Sequence, residues 1–189
     1  MKTVFIHGAF SSPISFNYIR SKLLLADELL IDYKVEDGLA YNVAKIKNDI
    51  LNSCGDKPVN IISHSMGGLI AVMLYHKNIK INKLISMSAP LGGSKFAEYA
   101  RWWTKNQLLI DLSNRKLYDS LRNKKIKCDN LFIVTTKGYT NSYGIKNDCV
   151  VSVGSQYNVI GLNYKEFEFT HTEVLMSNEI VNEIDNFIN

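Results

Sequence analysis

The sequence has little of several features that would point directly to a function. It carries only three cysteines, Cys54, Cys128 and Cys149. None forms a Cys-x-x-Cys pair, which excludes a zinc ribbon and a disulfide scaffold and leaves free thiols. Proline is as scarce, with three residues in 189, and there is no linker-like stretch, internal repeat or low-complexity tract. No apolar run reaches the about 18 residues that a membrane span needs. The opening Met1-Lys2-Thr3 enters a strand-like run without the apolar stretch and cleavage site of a signal peptide. The expectation is a cytoplasmic protein without a membrane segment, a removed leader aside. Charge of one sign is not massed either. The net +4 is spread along the chain, and its densest group, Lys124, Lys125 and Lys127, reads as a solvated turn, so no nucleic-acid partner is expected.

What is present is an ordinary core. Hydrophobic residues make up 46% of the chain and charged residues 21%, which suits one globular domain over residues 1–189. Short Val-, Ile-, Leu- and Phe-rich runs alternate with longer segments of helical period, the pattern of a parallel sheet covered by helices. Strands are expected at Thr3–Ile6, Leu29–Val35, Val59–Ser63, Lys83–Met87, Leu131–Thr136 and Tyr164–Phe169. Their lack of polar alternation suits burial on both faces. Helices are expected at Ser15–Ala26, Asn42–Cys54, Met66–Lys77, Phe96–Thr104, Asn114–Asn123 and Asn178–Phe187. Ser177 is placed to cap the last of these. Two loops are conspicuous: polar Lys137–Asn147, and the excursion Lys95–Arg122, which carries Tyr99, Trp102 and Trp103.

The chemistry starts at Val59–Leu74, an apolar strand, a tight turn of small residues and an apolar helix in direct succession. Ser63-His64-Ser65-Met66-Gly67 is a variant of the Gly-x-Ser-x-Gly nucleophile elbow, with serine in the first glycine position. Small side chains are needed two before and two after the nucleophile because the chain reverses from strand to helix in almost no space. Ser65 would then sit on a strained tip at a helix start, and the Met66 amide would face a developing oxyanion. Thr140–Gly144 has a similar outline but no apolar helix after it, so Ser142 is discounted. A second oxyanion donor is expected where the first strand runs into His7-Gly8-Ala9-Phe10. Ala9 is the candidate, with Phe10 the fallback.

A serine nucleophile needs a base, and the four histidines differ in position. His7 lies in the oxyanion loop, His64 beside the nucleophile and His76 late in the next helix. Only His171 lies in a loop between a late strand and the final helix, which makes it the candidate base. The acid that orients it should follow a strand between Ser65 and His171. Asp148, before the apolar pair Val150-Val151, is preferred to Asp129, Asp111 and Glu173.

The order Ser65, Asp148, His171 on alternating strands and helices resembles the α/β-hydrolase superfamily, specifically its small lipase and esterase-like members. The likeness runs through His7-Gly8, Ser63-His-Ser-Met-Gly-Gly68, Asn147-Asp-Cys-Val-Val151 and His171-Thr-Glu-Val174. Three positions depart from it: Ser63 replaces a commoner glycine, Cys149 a frequent glycine after the acid, and Ser152 a frequent proline. The resemblance implies an α/β-hydrolase fold, with a mainly parallel sheet of about six strands, helices on both faces and at most a modest cap. It implies a Ser-His-Asp hydrolase that works through an acyl-enzyme and needs no metal or organic cofactor. The small size of the chain, with space for at most a modest lid, favours carboxylic esters with an apolar acyl chain as substrates. The expected partner is a small acyl ester, in a pocket bordered by His7, Phe10, His64, Leu91, Trp102 and Trp103, with Leu108 and Leu109 as further roof. Thioesterase or acyltransferase chemistry, or a non-catalytic binding protein, shares the fold and stays open as an alternative.

Overall fold

Side chains alternate across a strand, and here both alternate sets are apolar, so each face of the sheet must be covered. Phe5, Ile62, Ile85, Leu131 and Ile133 point into one buried cluster with Phe16, Ile19, Ile180 and Ile184. Val4, Ile6, Ile61, Leu84 and Phe132 point into the other, with Ile46, Leu69, Val72 and Leu121. The computed structural model describes residues 1–100, 106–139 and 144–189, except for the side chains of residues 96 and 100.

The strands are β1 (Thr3–Ile6), β2 (Glu28–Ile31), β3 (Val59–His64), β4 (Ile81–Met87), β5 (Asp129–Thr135) and β6 (Tyr164–Phe167). They form one open sheet in the order β2-β1-β3-β4-β5-β6, with every pairing parallel. The helices are α1 (Asn17–Leu23), α2 (Leu39–Cys54), α3 (Met66–Tyr75), α4 (Lys95–Ala100), α5 (Gln107–Leu112), α6 (Arg115–Arg122), α7 (Val153–Gln156) and α8 (Asn178–Ile188). Helices α1 and α8 lie on one face, while α2, α3 and α6 lie on the other. No helix among the described residues is long and apolar enough to cross a membrane.

The expected elements differ from the observed ones at informative places. β2 stops at Ile31, not Val35. It pairs only with the four residues of β1, after which the chain turns so that Tyr33 stacks on His7 at 4.5 Å and Val35–Asp37 forms a 3-10 turn. The first helix is shorter than Ser15–Ala26: Pro13–Phe16 is a 3-10 turn, and Leu24 closes α1 with a left-handed φ of 48°. Of the helix expected at Phe96–Thr104, the described part is α4, and residues 101–104 lie outside the described residues; α5 is an element the apolar pattern did not separate. α7 is also additional, and Ser152 caps it by accepting from the Ser155 amide.

Close approach explains the glycine pair Gly67-Gly68 at the start of α3. A Cβ on Gly67 would collide with the Ile6 carbonyl oxygen of β1, and one on Gly68 with Ser86 Oγ of β4. Helix α3 can settle this deeply onto β1 and β4 only where both positions lack side chains.

Candidate active site

The carboxyl ends of the strands converge on Ser65. It caps α3 at φ 53° and ψ −124°, a left-handed conformation that costs a non-glycine residue about 1–3 kcal/mol. Two main-chain bonds hold it there, from Ser65 N–H to the Met87 carbonyl at 2.8 Å and from Gly68 N–H to the Ser65 carbonyl at 2.8 Å. Ser63, in place of the commoner glycine, satisfies its buried hydroxyl by donating to the Ile85 carbonyl at 3.0 Å.

Asp148 is fully buried, and both of its carboxylate oxygens are engaged. Oδ1 accepts the amides of Val150 at 3.0 Å and Val151 at 2.7 Å. Oδ2 accepts His171 Nδ1–H at 2.9 Å and the Thr135 hydroxyl at 2.6 Å. Burial opposes ionisation of this carboxyl, but the bonds and charge of His171, the Thr135 hydroxyl and the Val151 amide outweigh it and hold the group below the usual carboxylate range. The local turn is built for this. Asn147 bridges Ser152 and accepts the Cys149 amide on its side chain at 2.8 Å, while Cys149 itself takes φ 82°. That angle favours glycine, which accounts for the glycine common at this position in the resemblance.

His171 is tied to Asp148 through its backbone as well, its amide donating to the Asp148 carbonyl at 2.9 Å. The bond from Nδ1 leaves Nε2 as the basic nitrogen. Neither Nε2 nor the Ser65 hydroxyl hydrogen-bonds to a described residue. What joins the two neighbourhoods is His64: its Nε2–H donates to the His171 carbonyl at 2.7 Å, with the two rings 4.7 Å apart. Burial, and then the neighbouring His171, push His64 down to about 3, so it is a neutral ring with its proton on Nε2.

The loop after β1 closes the other side. A Cβ on Gly8 would lie 3.0 Å from Ser65 Cβ and 3.1 Å from His64 Nδ1, so this loop abuts the serine. His7 Nδ1–H donates to the Gly8 carbonyl at 2.7 Å, and Nε2 accepts from the Tyr33 amide at 3.4 Å. In a trans peptide, fixing the Gly8 carbonyl fixes the Ala9 N–H on the opposite side. The amides of Ala9 and Met66 have no hydrogen-bond partner among the described residues.

The expected pocket residues separate into three groups. Phe10 is 68% exposed and, with Val35, Glu36, Asn106, Gln107 and Leu108, lines an open groove of about 240 Å³. His7 and His64 are buried supports for the loops around Ser65. Leu91 has no exposed surface and belongs to the buried cluster that includes Tyr118 and Leu121 of α6. Trp102 and Trp103 lie outside the described residues, as does Ser142. Sequence reasoning missed Thr135 and Gln156, and the only signal for Thr135 was its place at the end of a buried strand.

Residues 34–178 match the profile of the PGAP1-like alpha/beta domain. Since the match spans well over half of the sequence, the chain belongs to that family. No functionally curated protein sequence matches it. Among solved structures it resembles the mature lipase BlEst2 of Bacillus licheniformis, with TM-score 0.75 and 20% identity, covering 100% of this chain and 91% of that one. It also resembles a lipase-esterase related protein from Clostridium acetobutylicum, with TM-score 0.69 and 18% identity, covering 98% and 93%. A metagenomic carboxyl esterase, MGS0156, matches with TM-score 0.71 and 12% identity over 99% and 73%. The fold is that of the α/β-hydrolases, and the solved structures it resembles include a lipase and a carboxyl esterase.

Proposed function

We propose that this protein is a serine hydrolase of carboxylic esters, with Ser65 as nucleophile, His171 as general base and Asp148 as the acid that orients it. One observation carries this reading: the Asp148–His171 pair is held by His64 beside a serine kept on a strained turn at a helix start. The names of the structural relatives, a lipase and a carboxyl esterase, support the ester as substrate.

In the proposed reaction His171 Nε2 takes the Ser65 proton while Oγ bonds to the acyl carbon. The Met66 and Ala9 amides receive the oxyanion, and each such donor contributes about 3 kcal/mol where this has been measured. Collapse breaks the carbon–oxygen bond to the alcohol, which leaves with the proton from His171. Water, deprotonated by His171, then attacks the acyl carbon and frees the acid and Ser65. The groove lined by Phe10, Val35 and Leu108 together with the polar Glu36, Asn106 and Gln107 is the proposed place for an acyl or alkyl portion of modest size.

Hydrolysis of p-nitrophenyl esters of graded chain length, with labelling by a fluorophosphonate, tests the proposal. Ester turnover and labelling that both disappear in Ser65→Ala support it. A thioester cleaved with ester activity absent would replace the substrate class, and failure to label would remove the nucleophile.

A further inference from the structure

The carboxylate oxygen that faces His171 has a second donor. Asp148 Oδ2 accepts His171 Nδ1–H at 2.9 Å and Thr135 Oγ1–H at 2.6 Å, while a third contact, from Gln156 Nε2, is long at 3.4 Å. An ionised carboxylate only accepts, so the single Thr135 hydroxyl proton must point at Asp148. The partner on the other side, Ser88 Oγ at 2.7 Å, must therefore donate to Thr135. The result is a buried one-way chain, Ser88 to Thr135 to Asp148, that ends on the oxygen gripping the imidazole. Ser88 and Thr135 have no exposed surface, and Ser88 holds a left-handed φ of 54°, so its hydroxyl is presented at a conformational cost.

The main chain at Thr135 is secured separately. Gln156 Oε1 accepts the Thr135 amide at 2.9 Å and Gln156 Nε2 donates to the Thr135 carbonyl at 2.9 Å, so the side-chain amide pairs with the end of β5 like an added strand residue. The Thr135 hydroxyl is thus not needed to keep β5 in place. Its remaining task is directional: with Oδ1 pinned by two amides, it fixes the rotation of the carboxylate and the share of Oδ2 offered to His171.

We propose that Thr135 is a positioning residue that acts through Asp148 to hold the His171 imidazole in its working orientation. This rests on the triad reading above, and the test is chosen to separate the two. Thr135→Val keeps the shape and removes the hydroxyl, and Thr135→Ser keeps the hydroxyl. The readouts are the low-field proton resonance of His171 Nδ1–H in the resting protein, kcat and KM on a p-nitrophenyl ester, and a thermal melt.

The expected result is that Thr135→Val still folds but melts a few degrees lower, because Ser88 Oγ–H and Asp148 Oδ2 each lose a buried partner. It should also move the Nδ1–H resonance and lower kcat by about 10- to 150-fold, the loss of one charge-assisted hydrogen bond. KM should be unchanged, and Thr135→Ser should restore both resonance and kcat. An unmoved resonance with wild-type kcat in Thr135→Val overturns the proposal, as does a Thr135→Ser variant as impaired as the valine. Because the resonance is read without turnover, a shifted resonance in a protein that cleaves no ester upholds the positioning role and sinks the hydrolase reading. Ser65-dependent ester cleavage that is indifferent to Thr135→Val does the reverse.

Discussion

The ring of His64 donates from Nε2 to the main-chain carbonyl of His171 at 2.7 Å, so the residue before the candidate nucleophile holds the backbone of the candidate base. These positions are 107 residues apart in sequence. Replacing His64 by Phe fills the volume but leaves a buried carbonyl without its donor, at a cost of about 1–3 kcal/mol. The expected outcome is a folded protein with kcat lowered roughly tenfold, one factor of ten for each 1.4 kcal/mol lost in the transition state. Steady-state kinetics beside a urea melt check it, and wild-type kcat would show that the tether is idle.

His64 also sets an acid response. Its ordinary value is 6.5 and the fold lowers it to about 3. Below pH 6.5 the unfolded chain binds a proton that the folded chain refuses. The stability from the depressed value is therefore complete above pH 6.5 and is lost as pH falls toward 3. The slope reaches about 1.4 kcal/mol per pH unit. Asp148, also lowered, adds a further loss below its ordinary 3.8. Urea titrations between pH 7 and 4 should give a smaller slope for His64→Phe than for wild type. Equal slopes would mean that His64 titrates normally in the folded protein.

A side chain at Gly8 is predicted to shift the groups around Ser65. Its added Cβ would press on Ser65 Cβ at 3.0 Å and His64 Nδ1 at 3.1 Å, displacing the loop that presents the Ala9 amide. Gly8→Ala should lower kcat by about 10²-fold, on the scale of losing one oxyanion donor, with little loss of melting temperature. Wild-type kcat in this variant would remove Ala9 from the oxyanion site.

Cys149 holds φ 82°, and its thiol makes one weak hydrogen bond among the described residues, to the Lys137 carbonyl at 3.7 Å. Cys149→Gly relieves the strain and should raise stability by about 1 kcal/mol, a rise in Tm of roughly 2–4 °C. A lower Tm would indicate that the thiol packs more usefully than its contact suggests.

The parallel sheet was legible because buried apolar strands and helical-period segments follow one another with clear boundaries. The strand, tight turn and helix around Ser65 were legible because all three are local. Asp148 and His171 could be chosen by position relative to the strands, and the structure then links them at 2.9 Å. The supports were not legible. Thr135, Gln156 and His64 act through contacts across the sheet, and a threonine ending a strand looks like any other β-branched residue. The burial of Leu91 was not legible, because proximity to a strand end does not say which way a turn aims its side chain. The end of β2 was missed because the four-residue length of β1, not the apolar content of 29–35, limits the pairing.

Intact-mass spectrometry after exposure to a fluorophosphonate reads the nucleophilic role of Ser65 without any ester substrate. One phosphonyl adduct, mapped to Ser65 and lost together with ester turnover in Ser65→Ala, is the predicted result. An adduct elsewhere, or turnover that survives Ser65→Ala, would contradict the account.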